Sequence, residues 1–343
     1  MAMSDEVRQA PRYKPKQKKS FSESFIPRKG DKTNVIVSKL IVLVSLLVLI
    51  GCGVVLGIYF YHIYEAKQNN INIHTIKSKM DMMNTADADS PEVTTSVNEN
   101  GEIVREPLTT LPFAEEMLGI NADYVGYVSI PNRVNEAVVQ AEDNDYYLKK
   151  NIYDQTRQCG TVFADFRDDV NNYADLQSDN IILYGHNQRD GTMFGELDYY
   201  KWDYKYWLQN PYIYFDNQHE QYTYVIIASF VINTEPEHDN GNVFDYQNYI
   251  NFGSDHPFET FKKELDERSH FHTGIDYSEN DKYITLSTCS YEWETSRHVI
   301  IGRRLRSGET TENMDLSGFE VNSNPKWPAV YYKYNGGTYV EQN

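Results

Sequence analysis

Hydrophobic and polar positions divide the chain into three parts. Residues 40–61 form a run of 22 residues without a charged side chain, long enough to cross a bilayer as a helix. A polar stretch rich in Lys, Arg, Ser and Pro precedes this run, and a segment without apolar periodicity extends from residue 85 to 107. From residue 124 onward, short apolar runs alternate with turn signals, which is typical of a mainly β domain.

The short apolar runs recur about eight times, which is the number and spacing of strands in a closed β-barrel. The predicted strands are residues 124–130, 137–140, 160–165, 180–184, 212–215, 222–233, 282–287 and 298–305. Residues 197–208 and 258–267 are predicted as helices between strands, and residues 111–118 as a short helix leading into the domain. The fold class predicted is therefore mainly β with added helices.

The long apolar run favours a membrane anchor over a cleaved signal peptide. A signal peptide usually has a shorter apolar core and ends in a small-x-small cleavage site, whereas this run ends in Tyr59-Phe60-Tyr61. Aromatic residues of this kind suit the membrane interface. Residues 1–34 hold nine Lys and Arg against four Asp and Glu, which predicts that the amino terminus is cytoplasmic and that everything after the span is extracellular.

Charge and cysteine count narrow the function classes. The formal net charge is −18, which argues against a nucleic-acid partner because binding a polyphosphate relies on basic side chains. The three cysteines, Cys52, Cys159 and Cys289, form neither a disulfide framework nor a Cys/His pattern typical of zinc sites. A Cys159–Cys289 disulfide stays open as the minor alternative, and we expect no metal.

Candidate chemistry lies at the ends of predicted strands. The strand beginning at Tyr283 ends at Cys289, and Arg297 opens the next strand after a polar turn. His186 follows Tyr184-Gly185 at another strand end. A thiol needs a nearby base or a lowered pKa to attack carbonyl carbon. The alternatives are a buried structural cysteine, a surface histidine, and an arginine paired with Glu292 or Glu294.

Three segments together resemble class B sortases. The first is Thr285-Leu-Ser-Thr-Cys289 with Arg297 behind it; the second is residues 182–195, Ile-Leu-Tyr-Gly-His-Asn-Gln-Arg-Asp-Gly-Thr-Met-Phe-Gly; the third and weaker is residues 160–165, Gly-Thr-Val-Phe-Ala-Asp. The resemblance implies an eight-stranded sortase barrel whose catalytic residues are His186, Cys289 and Arg297. It implies neither a metal nor an organic cofactor.

Composition and hydropathy, together with the extent of the resemblance, predict the domain organisation, and position beside the catalytic residues predicts the substrate contacts. Residues 1–36 are expected to be a cytoplasmic tail, 37–61 a transmembrane helix, 62–114 a stalk and linker with a helix over 64–84, 115–306 the catalytic barrel, and 307–343 a Tyr-rich extension. The extension is expected to pack on the barrel rather than to bind wall polymer. The candidate substrate-binding residues are Asn187, Met193, Ser287, Thr288 and Tyr291.

The reaction implied is transpeptidation at the surface of a Gram-positive-type cell. Cys289 would cleave the carboxy-terminal sorting signal of a secreted protein after threonine, and a peptidoglycan amine would resolve the thioester. A pilus-assembling enzyme with a pilin lysine as acceptor is one alternative. A membrane-tethered binding module with a structural cysteine is another. A papain-like hydrolase is disfavoured because His186 precedes Cys289.

Overall fold

The computed structural model describes residues 25–84, 95–97, 103–157 and 159–336. The chain divides into a unit that ends at Tyr61 and a second unit that begins at His62. Most of the predicted basic tail and Tyr339 of the extension lie outside the described residues.

Helix α1 (Thr33–Asn84) contains the apolar run. By length and composition its apolar part qualifies as a membrane span, and no residue of the most apolar window is buried by protein. An apolar helix surface that no protein covers is what a lipid-embedded anchor requires. The helix predicted over residues 64–84 is confirmed as the end of α1.

The second unit is built on a closed barrel of eight strands, as predicted. Around the barrel the order is β10-β11-β8-β7-β3-β4-β5-β6. The barrel strands are β3 (Tyr124–Ile130), β4 (Val134–Val139), β5 (Val162–Ala164), β6 (Asn180–Gly185), β7 (Tyr212–Asn217), β8 (Gln221–Asn233), β10 (Tyr283–Cys289) and β11 (Ser296–Arg304). Two contacts, β10 with β6 and β4 with β5, are parallel, and the others are antiparallel.

Each predicted strand overlaps an observed one, with differences at the ends. Strand β4 begins at Val134, three residues earlier than expected. The start of β4 was not predicted because the polar residues Asn135 and Glu136 interrupt its apolar pattern. Two short pairs lie outside the barrel: β1 (Thr95–Val97) with β2 (Ile103–Arg105), and β9 (Phe271–His272) with β12 (Glu320–Val321).

The predicted helices are also present. They are α2 (Pro112–Ile120), the short helices α3 (Tyr199–Trp202) and α4 (Tyr204–Gln209), and α5 (Phe258–Arg268) in the long connection after β8. A last helix, α6 (Ala329–Asn335), lies in the carboxy-terminal extension. The described part of the extension packs against the domain, with Val330 only 8% exposed.

The carboxy-terminal end of α1 packs on the barrel. Ile73 is buried in an apolar cluster with Phe113 and Tyr127. Lys77 forms a largely buried ion pair with Asp216 of β7 at 2.7 Å. The segment predicted as a stalk is therefore, in this part, a packed element of the domain.

Glu136 is a buried carboxyl group that joins α1 to the segment after β6. It accepts hydrogen bonds from Asn70 Nδ2 of α1 at 2.5 Å and from the Met193 amide at 2.9 Å. Burial raises its pKa from 4.5 to about 7. Because the folded state binds the proton more tightly than the unfolded state, stability contributed at this site falls as pH rises from about 4.5 to 7.

We expect the wild-type chain to lose stability between pH 5 and pH 8 and Glu136→Gln to lose less. The difference between their losses of unfolding free energy should reach up to about 3 kcal/mol at pH 8. Asp168, whose pKa burial raises to about 8, adds a slope of the same sign and stays in the variant. Thermal unfolding of the chain in detergent at both pH values measures the difference. The exposed Glu142→Gln is the matched control. An unchanged pH dependence in Glu136→Gln would contradict this account of Glu136.

Candidate active site

Strand register brings the three predicted catalytic residues to one rim of the barrel. In the parallel pair of β6 and β10, Gly185 lies opposite Thr288, so His186 follows β6 where Cys289 ends β10. In the antiparallel pair of β10 and β11, Cys289 lies directly opposite Arg297. Three neighbouring strands therefore present an imidazole, a thiol and a guanidinium at the same edge.

Cys289 has the exposure expected of a reactive thiol. It is half-buried, and it is not in a disulfide. Cys159 is also free but buried, and burial raises its pKa, which disfavours the thiolate. The structure therefore lacks the Cys159–Cys289 disulfide, and Cys289 is the better-placed nucleophile of the two.

His186 is held by a main-chain contact. Its Nε2 lies 2.9 Å from the carbonyl oxygen of Leu148. A carbonyl oxygen only accepts, so Nε2 carries a hydrogen and Nδ1 is the nitrogen left for proton exchange. The turn before the ring needs glycine, because a Cβ on Gly185 would lie 2.7 Å from the Phe194 ring.

Arg297 has no carboxylate partner within the described part of the chain. Its Nη1 donates to the carbonyl oxygen of Ser296 at 3.1 Å. Glu292, one of the partners the sequence suggested, pairs instead with Lys201 at 2.7 Å. The guanidinium thus keeps most of its donors available at the rim, and its positive charge opposes the rise that burial causes in the pKa of Tyr246.

The five residues predicted to bind substrate fall into two groups. Tyr291, two residues after Cys289, is 62% exposed, and its hydroxyl donates to the Asn187 carbonyl oxygen at 2.7 Å. The other four are at least nine-tenths buried: Asn187, Met193, Ser287 and Thr288. Three of the four use their side chains internally, through the contacts Asn187 Nδ2 to Cys289 O, Ser287 Oγ with Tyr246 Oη, and Thr288 Oγ1 to Gly185 O. Met193 contributes its amide to Glu136.

A buried ionic network behind the rim was not anticipated from the sequence. The Lys201 side chain is 4% exposed and lies 2.9 Å from Asp198 and 2.7 Å from Glu292. It also donates to Ser290 Oγ at 3.0 Å. Asn187 Nδ2 donates both to Asp198 and to the Cys289 carbonyl oxygen. The network therefore ties the residues after His186 to the residues after Cys289.

No cluster of three or more His, Cys, Asp or Glu side chains suited to a metal ion occurs in the described ranges. Asp198 and Glu292, two acidic residues behind the rim, pair with Lys201. The expectation of chemistry without a metal or organic cofactor stays a prediction.

Comparison with known proteins agrees with the geometry. A family model described as the sortase domain matches residues 130–305. The chain is 29% identical over 260 residues to sortase B of Listeria monocytogenes, covering 73% of this chain and 93% of that protein. It is 27% identical over 248 residues to sortase B of Staphylococcus aureus, covering 71% and 87%.

A solved structure shares the fold. The Staphylococcus aureus sortase B–substrate complex superposes with a TM-score of 0.55 at 24% identity, covering 70% of this chain and 97% of that one. The family model spans about half of the chain, and its matched residues contain the whole rim described above. The chain therefore belongs to the sortase family of cysteine transpeptidases, where its relatives are class B enzymes.

Proposed function

We propose that this chain cleaves a carboxy-terminal sorting signal after threonine and transfers the protein to a peptidoglycan amine. The observation that supports this most strongly is the alignment of His186, Cys289 and Arg297 on three neighbouring strand ends. Acyl transfer needs a nucleophile, a proton shuttle and a donor for the oxyanion, and these residue types supply all three.

Acylation begins with the Cys289 thiolate. Its Sγ attacks the carbonyl carbon of the threonine, and the oxygen takes up negative charge as the tetrahedral intermediate forms. The C–N bond then breaks, and His186 gives a proton from Nδ1 to the departing amine. The product is a thioester between Cys289 and the carboxyl side of the threonine.

Arg297 stabilises the charge that develops on oxygen. It lies opposite Cys289 in the register of β10 and β11 and is free of carboxylate partners among the described residues. A fixed guanidinium beside the reacting carbon offers several donors in a rigid plane. Donors aimed at a developing oxyanion commonly make the largest contribution to catalysis.

Deacylation reverses the proton transfer. His186 accepts a proton from the incoming amine, whose nitrogen attacks the thioester carbon and expels the Cys289 thiolate. The net result is exchange of one peptide bond for another. Water in place of the amine gives slow hydrolysis, the thiol-peptidase side of the same activity.

Substrate contacts are assigned by exposure. Tyr291 presents its ring beside the nucleophile and is the residue we propose to touch the sorting signal. Asn187, Met193, Ser287 and Thr288 stay candidate substrate-site residues, and their buried side chains pack behind the rim. The Ser287 and Thr288 contacts fix the last two residues of β10 before the thiol.

We place the barrel outside the cell. The basic residues before the span favour a cytoplasmic amino terminus, and the wall to which the protein would be attached lies on the outer side of the membrane. Protease added to cells with intact membranes and permeable walls should remove the domain; full protection would contradict this orientation.

The experiment is a product assay with a sorting-signal peptide and a panel of amines. The full chain in detergent should form the new amide only when both substrates are present, and should cleave the peptide slowly without amine. Peptidoglycan stem or cross-bridge peptides and a pilin-type lysine peptide are compared as acceptors. Product with the lysine peptide alone would favour pilus assembly. Absence of both amide and cleavage product across a broad peptide set would contradict the proposal.

A further inference from the structure

The loop that joins Cys289 to Arg297, residues 290–295, is closed at its base by its own hydrogen bonds. Ser290 N donates to Ser296 O at 3.0 Å. Ser296 Oγ lies 2.7 Å from the carbonyl oxygens of both Ser290 and Trp293. These bonds fix the base of the loop, while the Trp293 side chain extends away from it.

Trp293 is buried against the carboxy-terminal extension. Its side chain is 6% exposed, although it belongs to a polar loop at the rim. It shares a buried apolar cluster with Val231 of β8 and Val330 of α6, and Tyr331 packs against this cluster. The rings of Trp293 and Tyr331 meet edge to face, with centroids 6.3 Å apart. The extension therefore packs against residues 290–295, the loop between Cys289 and Arg297, which we call the catalytic loop.

The extension is itself attached to the domain at several independent points. Strand β12 pairs with β9, and Asn322 Nδ2 donates to Ser269 O at 2.8 Å. Lys326 bridges Glu264 and Glu267 of α5 at 3.3 and 3.0 Å.

Nearer the loop, the Ala329 amide donates to the buried Asp239 carboxylate at 2.8 Å. The Trp327 ring stacks on His270 and on Tyr331, at 4.7 and 4.1 Å between centroids. A segment anchored in this way has the rigidity needed to hold another element in place.

The loop is thus held from two sides. Lys201 of α3 binds Ser290 and Glu292, and the neighbouring Trp202 ring stacks on Trp327 of the extension at 5.8 Å. One short helix consequently contacts both the catalytic loop and the segment that covers it. A displacement of the extension would be transmitted to the loop through Trp293 and through α3.

We propose that residues 320–335 are a brace that positions the loop between Cys289 and Arg297, with Tyr331 as its positioning residue. The brace lies beyond the residues that the family model matches. Its catalytic consequence rests on the function proposed above: loosening the loop would misplace the thiol and the guanidinium relative to each other. A displacement of about 1 Å in a catalytic group can cost on the order of a hundredfold in rate.

The test compares Tyr331→Ala with Tyr334→Ala in the full chain. Both residues lie on α6, but Tyr334 is 63% exposed. We expect Tyr331→Ala to lower kcat about tenfold with KM for the peptide changed less than about twofold. Hydrogen exchange of residues 290–296 should accelerate about tenfold or more in Tyr331→Ala and stay unchanged in Tyr334→Ala.

A double-variant cycle separates positioning from loss of stability. Trp293→Ala and Tyr331→Ala break the same contact, so together they should lower kcat little more than the larger single effect. All rates are measured well below the unfolding temperature. If Tyr331→Ala does not fold, Val330→Ala, which loses two methyl groups at the same cluster, takes its place.

The outcomes are distinct. Unchanged exchange in the loop, or faster exchange with unchanged kcat, overturns the brace. Full additivity in kcat overturns it as well. If the wild-type chain turns over no sorting peptide, the proposed function fails, and hydrogen exchange alone then decides whether the extension holds the loop.

Discussion

Replacing Cys289 by alanine is expected to abolish transpeptidation, with a loss on the order of 10⁴-fold or more in kcat. The reason is chemical: without the thiol no thioester forms, and the rest of the site offers no other nucleophile opposite Arg297. The measurement is formation of the new amide from a sorting-signal peptide and an amine. KM is not expected to compensate, because substrate binding does not depend on Sγ.

The matched control is Cys159→Ala. Cys159 is buried, its pKa is raised by burial, and it lines a small cavity with Ile152 and Thr161, to which none of the three predicted catalytic residues contributes. The variant should retain activity within about twofold. Loss of activity in Cys159→Ala together with retention in Cys289→Ala would reverse the assignment of the nucleophile.

Replacing Arg297 by methionine is expected to lower kcat by about 10²- to 10³-fold, the cost typical of losing an oxyanion donor. Lysine at this position should restore only part of the rate, because an ammonium lacks the planar fork of donors. Since Arg297 and His186 act on the same intermediate, the double variant Arg297→Met with His186→Ala should lose far less than the product of the single losses.

Arg306→Met provides the control for charge. Arg306 follows the opposite end of β11 and pairs with Asp281 at 2.6 Å. The change removes the same charge near the far end of the same strand while leaving the rim intact. A loss in kcat as large as that of Arg297→Met, measured below the unfolding temperature, would show that net charge rather than position matters.

Most strands of the barrel could be predicted from local sequence patterns. Short apolar runs, such as those within residues 124–130 and Ile181–Leu183, carry the strand signal, and turn residues mark their ends. Recognition of the rim required more than pattern, since 103 residues separate His186 from Cys289 in the sequence. The pairing of β6 with β10 brings the segments that contain His186 and Cys289 together, and the pairing of β10 with β11 adds Arg297.

The contacts behind the rim could not be predicted, because they join segments with no shared pattern. From the sequence, Lys201 would be taken for an ordinary surface lysine among the aromatic residues of a short helix, yet it is buried between Asp198 and Glu292. No local charge pattern indicates that Lys201 pairs with Glu292, because 91 residues separate the two in the sequence. The docking of α1 through Lys77 and Asp216 is hidden for the same reason.

The directions of the side chains near Cys289 could not be predicted from the sequence either. Ser287 and Thr288 adjoin Cys289 and are predicted from the sequence to contact substrate, but the structure buries both to 2% exposure. In a closed barrel one face of a strand meets the core and the other meets covering helices and loops, so neighbours of an exposed residue are often enclosed. The partners that enclose them, such as Tyr246 of the long connection, are remote in sequence.

The covalent intermediate tests the central claim most directly. The full chain is incubated with a sorting-signal peptide without amine, quenched in acid, and its mass is measured before and after digestion. We predict a mass increase equal to the peptide portion up to threonine, located on the fragment containing Cys289 and lost when an amine is added before the quench. Cleavage of the peptide with the adduct on Cys159, or with no adduct on any cysteine, would contradict the account.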